Sequence, residues 1–176
     1  TFDGARQFLR SVATGTNGGL FRYMPGDDTT DAMIAVGLLC SQYLGARRGD
    51  AAILEGAAYL MTNLPRPERK DVYYWYYATQ VMHNIPGPEW DAWNRRMRRV
   101  LIESQVREGC AMGSWSPARD ERAAVPGRVM MTSLACLTLE VYYRYLPLYR
   151  LDSEAALGPV SATSFPAFPA AAGPAP

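Results

Sequence analysis

Residues Asp71-Val-Tyr-Tyr-Trp-Tyr-Tyr-Ala-Thr-Gln80 form the stretch that decides the fold. Two other segments align with its residues 74–78 through a shared alanine, and the three alanines are 43 and 57 residues apart: Ala35, Ala78 and Ala135. Each segment follows another helix-like segment that carries an apolar doublet, namely Phe8-Leu9, Tyr59-Leu60 and Val100-Leu101. Paired helical segments that repeat at this period predict three helical hairpins, each burying a face against its neighbours.

The body of the chain is predicted to be all-α, because apolar residues recur at helical spacing and no segment alternates with period two for long. Six helices are expected over residues 3–13, 30–44, 50–62, 71–84, 89–106 and 128–146. Candidate N-caps precede three of them: Thr29 or Thr30, Asp50 and Asp71. After Arg150 the sequence becomes rich in Pro, Ala and Ser. We expect a repeat domain over residues 1–150 and a disordered Pro/Ala-rich tail over residues 151–176.

Composition narrows the class of partner. The 176 residues carry 18 basic and 17 acidic side chains, so there is no basic excess with which to bind nucleic acid or an anionic membrane. The longest nearly unbroken apolar run, residues 32–40, is shorter than the roughly 20 residues that span a bilayer. No signal-peptide layout is visible, which leaves the cytoplasm as the default compartment. Since the chain opens at Thr1, we expect it to be part of a longer protein.

The metal-binding residue types are sparse. Three cysteines, Cys40, Cys110 and Cys136, and one histidine, His83, have no metal-ligand spacing. Neither a metal site nor a cofactor is therefore predicted. Cys40 and Cys136 lie within apolar runs, where a thiol is expected to be a small buried hydrophobe.

The third predicted hairpin carries a more specific pattern. Its first helix ends in Leu101-Ile-Glu-Ser-Gln105, and Gly113-Ser-Trp115 follows before the next helix. This resembles the glutamine–tryptophan repeat of squalene and oxidosqualene cyclases. A glutamine amide can satisfy free backbone groups at a helix end, and an indole can shield it from water. Gln105, Gly113 and Trp115 are accordingly expected to form a structural tie between hairpins.

Longer strings support the same resemblance across residues 2–150. Residues 35–40, 71–80, 89–94 and 138–147 look like bacterial proteins of the prenyltransferase and squalene-oxidase repeat group, of planctomycete type. The resemblance implies an α/α toroid related to terpene cyclases and protein prenyltransferase β-subunits. Complete toroids of that family have about twice as many hairpins. Three hairpins would thus form a partial α/α barrel, completed by upstream repeats or by a second copy of the chain.

One face of the fourth helix is the candidate binding surface. Tyr73, Tyr76, Tyr77 and Gln80 recur at i, i+3, i+4 and i+7, and His83 continues the face. If the second helix of each hairpin lines the ring, this aromatic face with polar tips would hold an apolar, isoprenoid-like molecule. The alternative interpretation is ordinary packing between helices, with each hydroxyl bonded to a backbone carbonyl.

No reaction follows from the sequence. The Asp-x-Asp-Asp acid motif of the cyclases is missing, and Asp27-Asp-Thr-Thr-Asp31 is interpreted as a solvated turn and helix cap and not as a magnesium site. Three functions stay open: a toroid-type module that binds an apolar ligand, an enzyme whose catalytic motif lies outside these residues, and a non-catalytic scaffold for protein contact.

Overall fold

The computed structural model describes residues 2–120, 122 and 126–144, and the predicted tail over residues 151–176 lies outside this part of the chain. Helices account for most of it. They are α1 Phe2–Val12, α2 Asp31–Tyr43, α3 Ala51–Thr62, α4 Val72–His83, α5 Pro88–Ser104, α6 Gly127–Leu139 and α7 Val141–Arg144. The first five lie within two residues of the predicted spans. The expected sixth helix is interrupted at Glu140, which separates α6 from the short α7.

The helix starts follow from local side-chain chemistry. Thr30 accepts a hydrogen bond from the backbone N–H of Met33 at the start of α2, and Asp71 does the same for Tyr74 at the start of α4. Both bonds satisfy N–H groups that have no partner within the helix. Asp50 precedes α3 without such a bond, and its carboxylate instead accepts the N–H of Arg47.

Three second helices, α2, α4 and α6, lie side by side with α4 in the middle. α2 and α4 run parallel, because Asp31 at the start of α2 lies with Asp71 and Tyr74 around one small cavity, while Gln42 near its end bonds to Val81. α6 follows the same direction. Its Met130 shares a cavity with Tyr73 at the start of α4, and α7, directly after it, reaches His83 at the end of α4.

The first helices α1 and α3 run antiparallel to α2, and α5 packs against α4. Arg6 in α1 donates to the carbonyl of Leu44 just after α2, and Tyr59 near the end of α3 donates to Asp31 at the start of α2. Between α5 and α4, the indole N–H of Trp93 donates to the Thr79 hydroxyl. The core between these helices contains fully buried large side chains, including Ile34, Leu38, Leu60, Trp75, Met82, Trp93, Met97 and Leu101.

Two strands were not predicted. β1 Ala13–Thr14 and β2 Leu20–Phe21 pair antiparallel and close a short loop between α1 and α2. They are too short to show a period-two pattern, and their loop is held by the carboxylate of Glu55 in α3. The described part of the chain is thus all-α apart from this hairpin. A closed or partial toroid stays a prediction, since the structure establishes only the contacts between neighbouring helices.

None of the helices in the part described by the structure has both the length and the apolar character of a membrane span.

Candidate functional site

Three tyrosines form a cluster on one face of α4, as predicted from their spacing. The ring centroids of Tyr73 and Tyr77 lie 4.8 Å apart and those of Tyr76 and Tyr77 lie 5.0 Å apart, all with edge-to-face geometry. Each ring is half-buried. The guanidinium carbon of Arg122 lies 5.6 Å from the Tyr73 centroid, within the range of a cation–π contact. This tyrosine face therefore combines apolar surface with the negative faces of aromatic rings.

Burial keeps the Tyr77 phenol protonated. Burial first, and then a hydrogen bond with Tyr73, raises the pKa of Tyr77 to about 12. The neighbouring thiol of Cys40, on α2, also has a raised pKa because burial disfavours its thiolate. Tyr77 and Cys40 are thus neutral near neutral pH, as a surface for an apolar ligand requires.

Gln80 and His83 lie on α4 as predicted, but both are buried, with 5% and 7% of their surface exposed. The Gln80 amide donates to the Tyr76 carbonyl in its own helix at 3.3 Å. His83 packs edge-to-face against Trp90 and Tyr142, with ring centroids 5.0 and 6.0 Å away. The exposed part of the face is consequently formed by the three tyrosines.

An apolar groove runs between α1 and α2, with a volume of about 520 Å³. Its walls are almost entirely aliphatic and aromatic and include Phe8, Leu9, Phe21, Met33, Val36 and Cys40. Close approach of β2 to α2 depends on Gly37, where a Cβ atom would lie 2.1 Å from Cγ of Phe21. Sequence reasoning missed this groove, although Met33, Val36 and Cys40 recur at i, i+3 and i+7 and could have revealed it.

A second, more polar cavity of about 810 Å³ lies at the start of α2 and α4. Its walls include Tyr23, Asp27, Asp28, Met33, Tyr73 and Arg122. Of the five predicted binding residues, Tyr73 lines this polar cavity, whereas neither cavity is lined by Tyr76, Tyr77, Gln80 or His83. The apolar groove and the polar cavity meet at Tyr23 and Met33, which belong to both.

The acidic run at residues 27–31 agrees only in part with the expected solvated turn and cap, because Asp31 is largely buried and contacts other segments of the chain. Asp27 accepts the backbone N–H of Met24, and Asp31 accepts the Tyr59 hydroxyl at 2.6 Å while pairing with Arg69 at 3.0 Å. Across the residues that the structure describes, no group of three or more His, Cys, Asp or Glu side chains is placed to hold a metal ion.

The three residues of the glutamine–tryptophan pattern come together between α5 and α6. The Gln105 amide donates to the Gly113 carbonyl at 2.9 Å, and Gln105 pairs with Trp115 in an isolated antiparallel bridge. The buried Trp115 donates through its indole N–H to the Leu101 carbonyl at 2.8 Å and through its backbone N–H to the Thr132 hydroxyl. These contacts connect the two helices of the third hairpin, and a tie to another hairpin stays a prediction.

The cysteines differ in part from expectation. Cys40 is half-buried in the wall of the apolar groove, but Cys136 is exposed on α6 and is not the buried hydrophobe expected from its apolar run. The neighbours of Cys136 in sequence are apolar, yet its own position falls on the outer face of the helix. All three cysteines are free thiols.

Comparison of this chain with protein-family models, with curated proteins and with solved structures gives no significant match.

Proposed function

We propose that this chain is a repeat domain of the squalene cyclase and prenyltransferase type that binds an apolar, isoprenoid-like molecule. The apolar groove between α1 and α2 is the observation that carries the proposal. Its volume of about 520 Å³ lies within the range of pockets for small organic ligands. The tyrosine face of α4 reaches the neighbouring polar cavity through Tyr73.

Exposure of large apolar side chains supports a binding role. Phe2, Tyr23 and Tyr43 expose 70%, 67% and 55% of their surface, and all three line the groove. Concentrated exposure of this kind at one concave surface is typical of a binding site, whereas single exposed apolar residues are ordinary.

A displacement assay tests the proposal. Nile red, a neutral apolar dye, is bound to the protein and displaced with farnesol at concentrations below micelle formation. Val36→Asp places a charge in the wall of the groove, and we expect it to weaken farnesol binding by about tenfold or more, because the carboxylate must be desolvated. Val129→Asp is the matched control, since Val129 is exposed on α6 away from the groove.

The tyrosine face is tested separately with Tyr76→Ala and Tyr77→Ala. We expect each to lower farnesol affinity with little change in thermal midpoint. A large loss of stability with unchanged binding would assign these rings to packing. If farnesol fails to displace the dye from the wild-type chain, or if both aspartate variants bind it equally well, the proposed function is wrong.

A protein-contact role is the second candidate, favoured by the same exposed edge. Phe8, with 48% of its surface exposed, lies with Phe2 on α1, where a second copy of the chain could cover both. Light scattering during size-exclusion chromatography distinguishes this scaffold from a monomeric binding domain. Self-association that Phe8→Ser abolishes, without dye displacement by farnesol, would favour the scaffold.

Catalysis by a longer protein that contains this chain is tested by incubating that protein with polyprenyl substrates, with and without magnesium or zinc. Product formation would assign an enzyme function, whereas its absence leaves the binding proposal in place.

A further inference from the structure

The continuity of the two cavities defines the shape of the ligand, if the proposed binding function is correct. Tyr23 and Met33 line both the apolar groove and the polar cavity, so the two cavities adjoin each other. The groove offers aliphatic and aromatic walls, while the polar cavity offers two carboxylates, two phenols and a guanidinium. Such a pair of environments fits an amphiphile, with its chain in the groove and its head in the polar cavity.

The charges around the polar cavity are unequal. Asp27 and Asp28 line it, and neither forms an ion pair with the cavity's own arginine, Arg122. The Arg122 guanidinium is instead paired with Asp71, with 3.2 Å between Nε and Oδ2. Because Asp71 matches the charge of Arg122, the two carboxylates leave the cavity with an excess of negative charge.

Arg22 is the other cation near the ligand path, and it lines the groove and not the polar cavity. Its guanidinium donates to the hydroxyl of Thr14, a residue that lines neither cavity. An anionic head placed in the polar cavity would therefore meet Asp27 and Asp28, while the charge of Arg122 is already matched by Asp71.

We propose that the ligand of this site is an amphiphile with an uncharged or cationic hydrogen-bonding head, such as an alcohol or an amine, and that anionic heads are rejected. The Tyr73 ring adds to the preference, because Arg122 already shows that a cation can lie over it. Carboxylates, phosphates and diphosphates on the same chain bind more weakly for the opposite electrostatic reason.

A head-group series on one chain tests this inference. Farnesol, farnesylamine and farnesoic acid compete with Nile red near neutral pH, where the amine is cationic and the acid is anionic. Each of the two carboxylates is expected to raise the amine-to-acid affinity ratio by about fivefold, so the amine should bind about 25-fold more tightly than the acid. Added salt should reduce this ratio, since exposed charges are screened.

Asp28→Asn removes one carboxylate without touching the Asp27 turn bond to Met24. We expect it to lower the amine-to-acid affinity ratio about fivefold. Glu103→Gln, an exposed acidic position on α5, is the matched control and should leave the ratio unchanged. Acid binding as tight as amine binding, or a ratio insensitive to Asp28→Asn, would overturn the inference while leaving the proposed function intact. Failure of all three compounds to bind would instead overturn the proposed function.

Discussion

Trp115 connects α5 and α6 through both its ring and its backbone. The side chain is 3% exposed, its indole N–H bonds to Leu101, and its backbone N–H bonds to Thr132. Trp115→Ala should reduce the free energy of unfolding by roughly 3–5 kcal/mol, as expected for a buried aromatic residue. Trp115→Phe keeps an aromatic ring but loses the indole hydrogen bond. Loss of that bond should reduce the free energy of unfolding by about 1 kcal/mol, in addition to the effect of the smaller ring on packing. Urea denaturation measures both, and a nearly neutral alanine variant would contradict a structural role.

Glu55 holds the loop between β1 and β2 through a single carboxylate. It accepts three backbone N–H groups, from Thr16, Asn17 and Gly19, at 2.6, 2.9 and 2.8 Å. These bonds, with the one from Gly19 the largest, hold the pKa of Glu55 below its usual value. The folded state therefore prefers ionised Glu55. The stability that these bonds contribute is present above the pKa of Glu55 in the unfolded chain and is lost as pH falls through its pKa in the folded chain.

Glu55→Gln should therefore reduce stability near neutral pH and reduce it less in acid. Urea midpoints at about pH 7 and at a pH below the lowered folded-state pKa of Glu55 measure the difference, because only there is the carboxylate protonated in the folded state. Glu103→Gln serves as control, since Glu103 is exposed on α5. An equal loss for Glu55→Gln at both pH values would show that the carboxylate charge does not hold the loop.

At the scale of the element, contact between α2 and β2 depends on a missing side chain. A Cβ atom at Gly37 would lie 2.1 Å from Cγ of Phe21, a ring atom that cannot move away alone. Gly37→Ala should lower the free energy of unfolding by about 1–3 kcal/mol through overpacking. The better helix propensity of alanine, about 1 kcal/mol, offsets part of this loss. A Cβ atom at Gly4 in α1 would have no heavy atom within 4 Å, so Gly4→Ala should leave stability unchanged or raise it slightly. Thermal unfolding of the two variants compares them, and equal shifts would refute the steric argument.

The helices themselves could be predicted because apolar spacing and N-cap residues are features of neighbouring positions in the sequence. Apolar spacing located α1 to α5, and the Thr30 and Asp71 caps were confirmed. The interruption at Glu140 and the β1–β2 pair could not be predicted from periodicity. The first is a one-residue break, and the second depends on Glu55, which is 36 residues from Gly19 in sequence.

The candidate site was only partly predictable for the same reason. Helical spacing placed Tyr73, Tyr76 and Tyr77 on one face, which the structure shows as a cluster. Burial of His83 depends on Trp90 and Tyr142 from other helices, and the apolar groove needs α1, α2 and β2 together. Neighbours from separate elements are invisible to a periodicity argument, so the face was predicted and its surroundings were not.

At the scale of the whole molecule, two buried amides join the first and second hairpins. Asn84 donates to the side-chain oxygen of Gln42 at 2.9 Å, and Gln42 in turn donates to the Val81 carbonyl at 3.3 Å. Both side chains are buried, so removing one leaves polar groups of the other without a partner. In an array of hairpins, such contacts between neighbours determine whether the repeats unfold as one unit.

A double-mutant cycle measures this connection. Gln42→Ala and Asn84→Ala should each cost about 1–3 kcal/mol, and the double variant should cost about 1 kcal/mol less than their sum, because the second change removes a partner already lost. The exposed Asp3–Arg6 pair in α1 is the control, and its coupling should be close to zero. Urea unfolding should stay a single transition in the wild type, whereas the loss of this buried pair should separate unfolding of the first hairpin from the rest. Additive costs together with an unchanged single transition would show that apolar packing between α2 and α4 suffices to couple the hairpins.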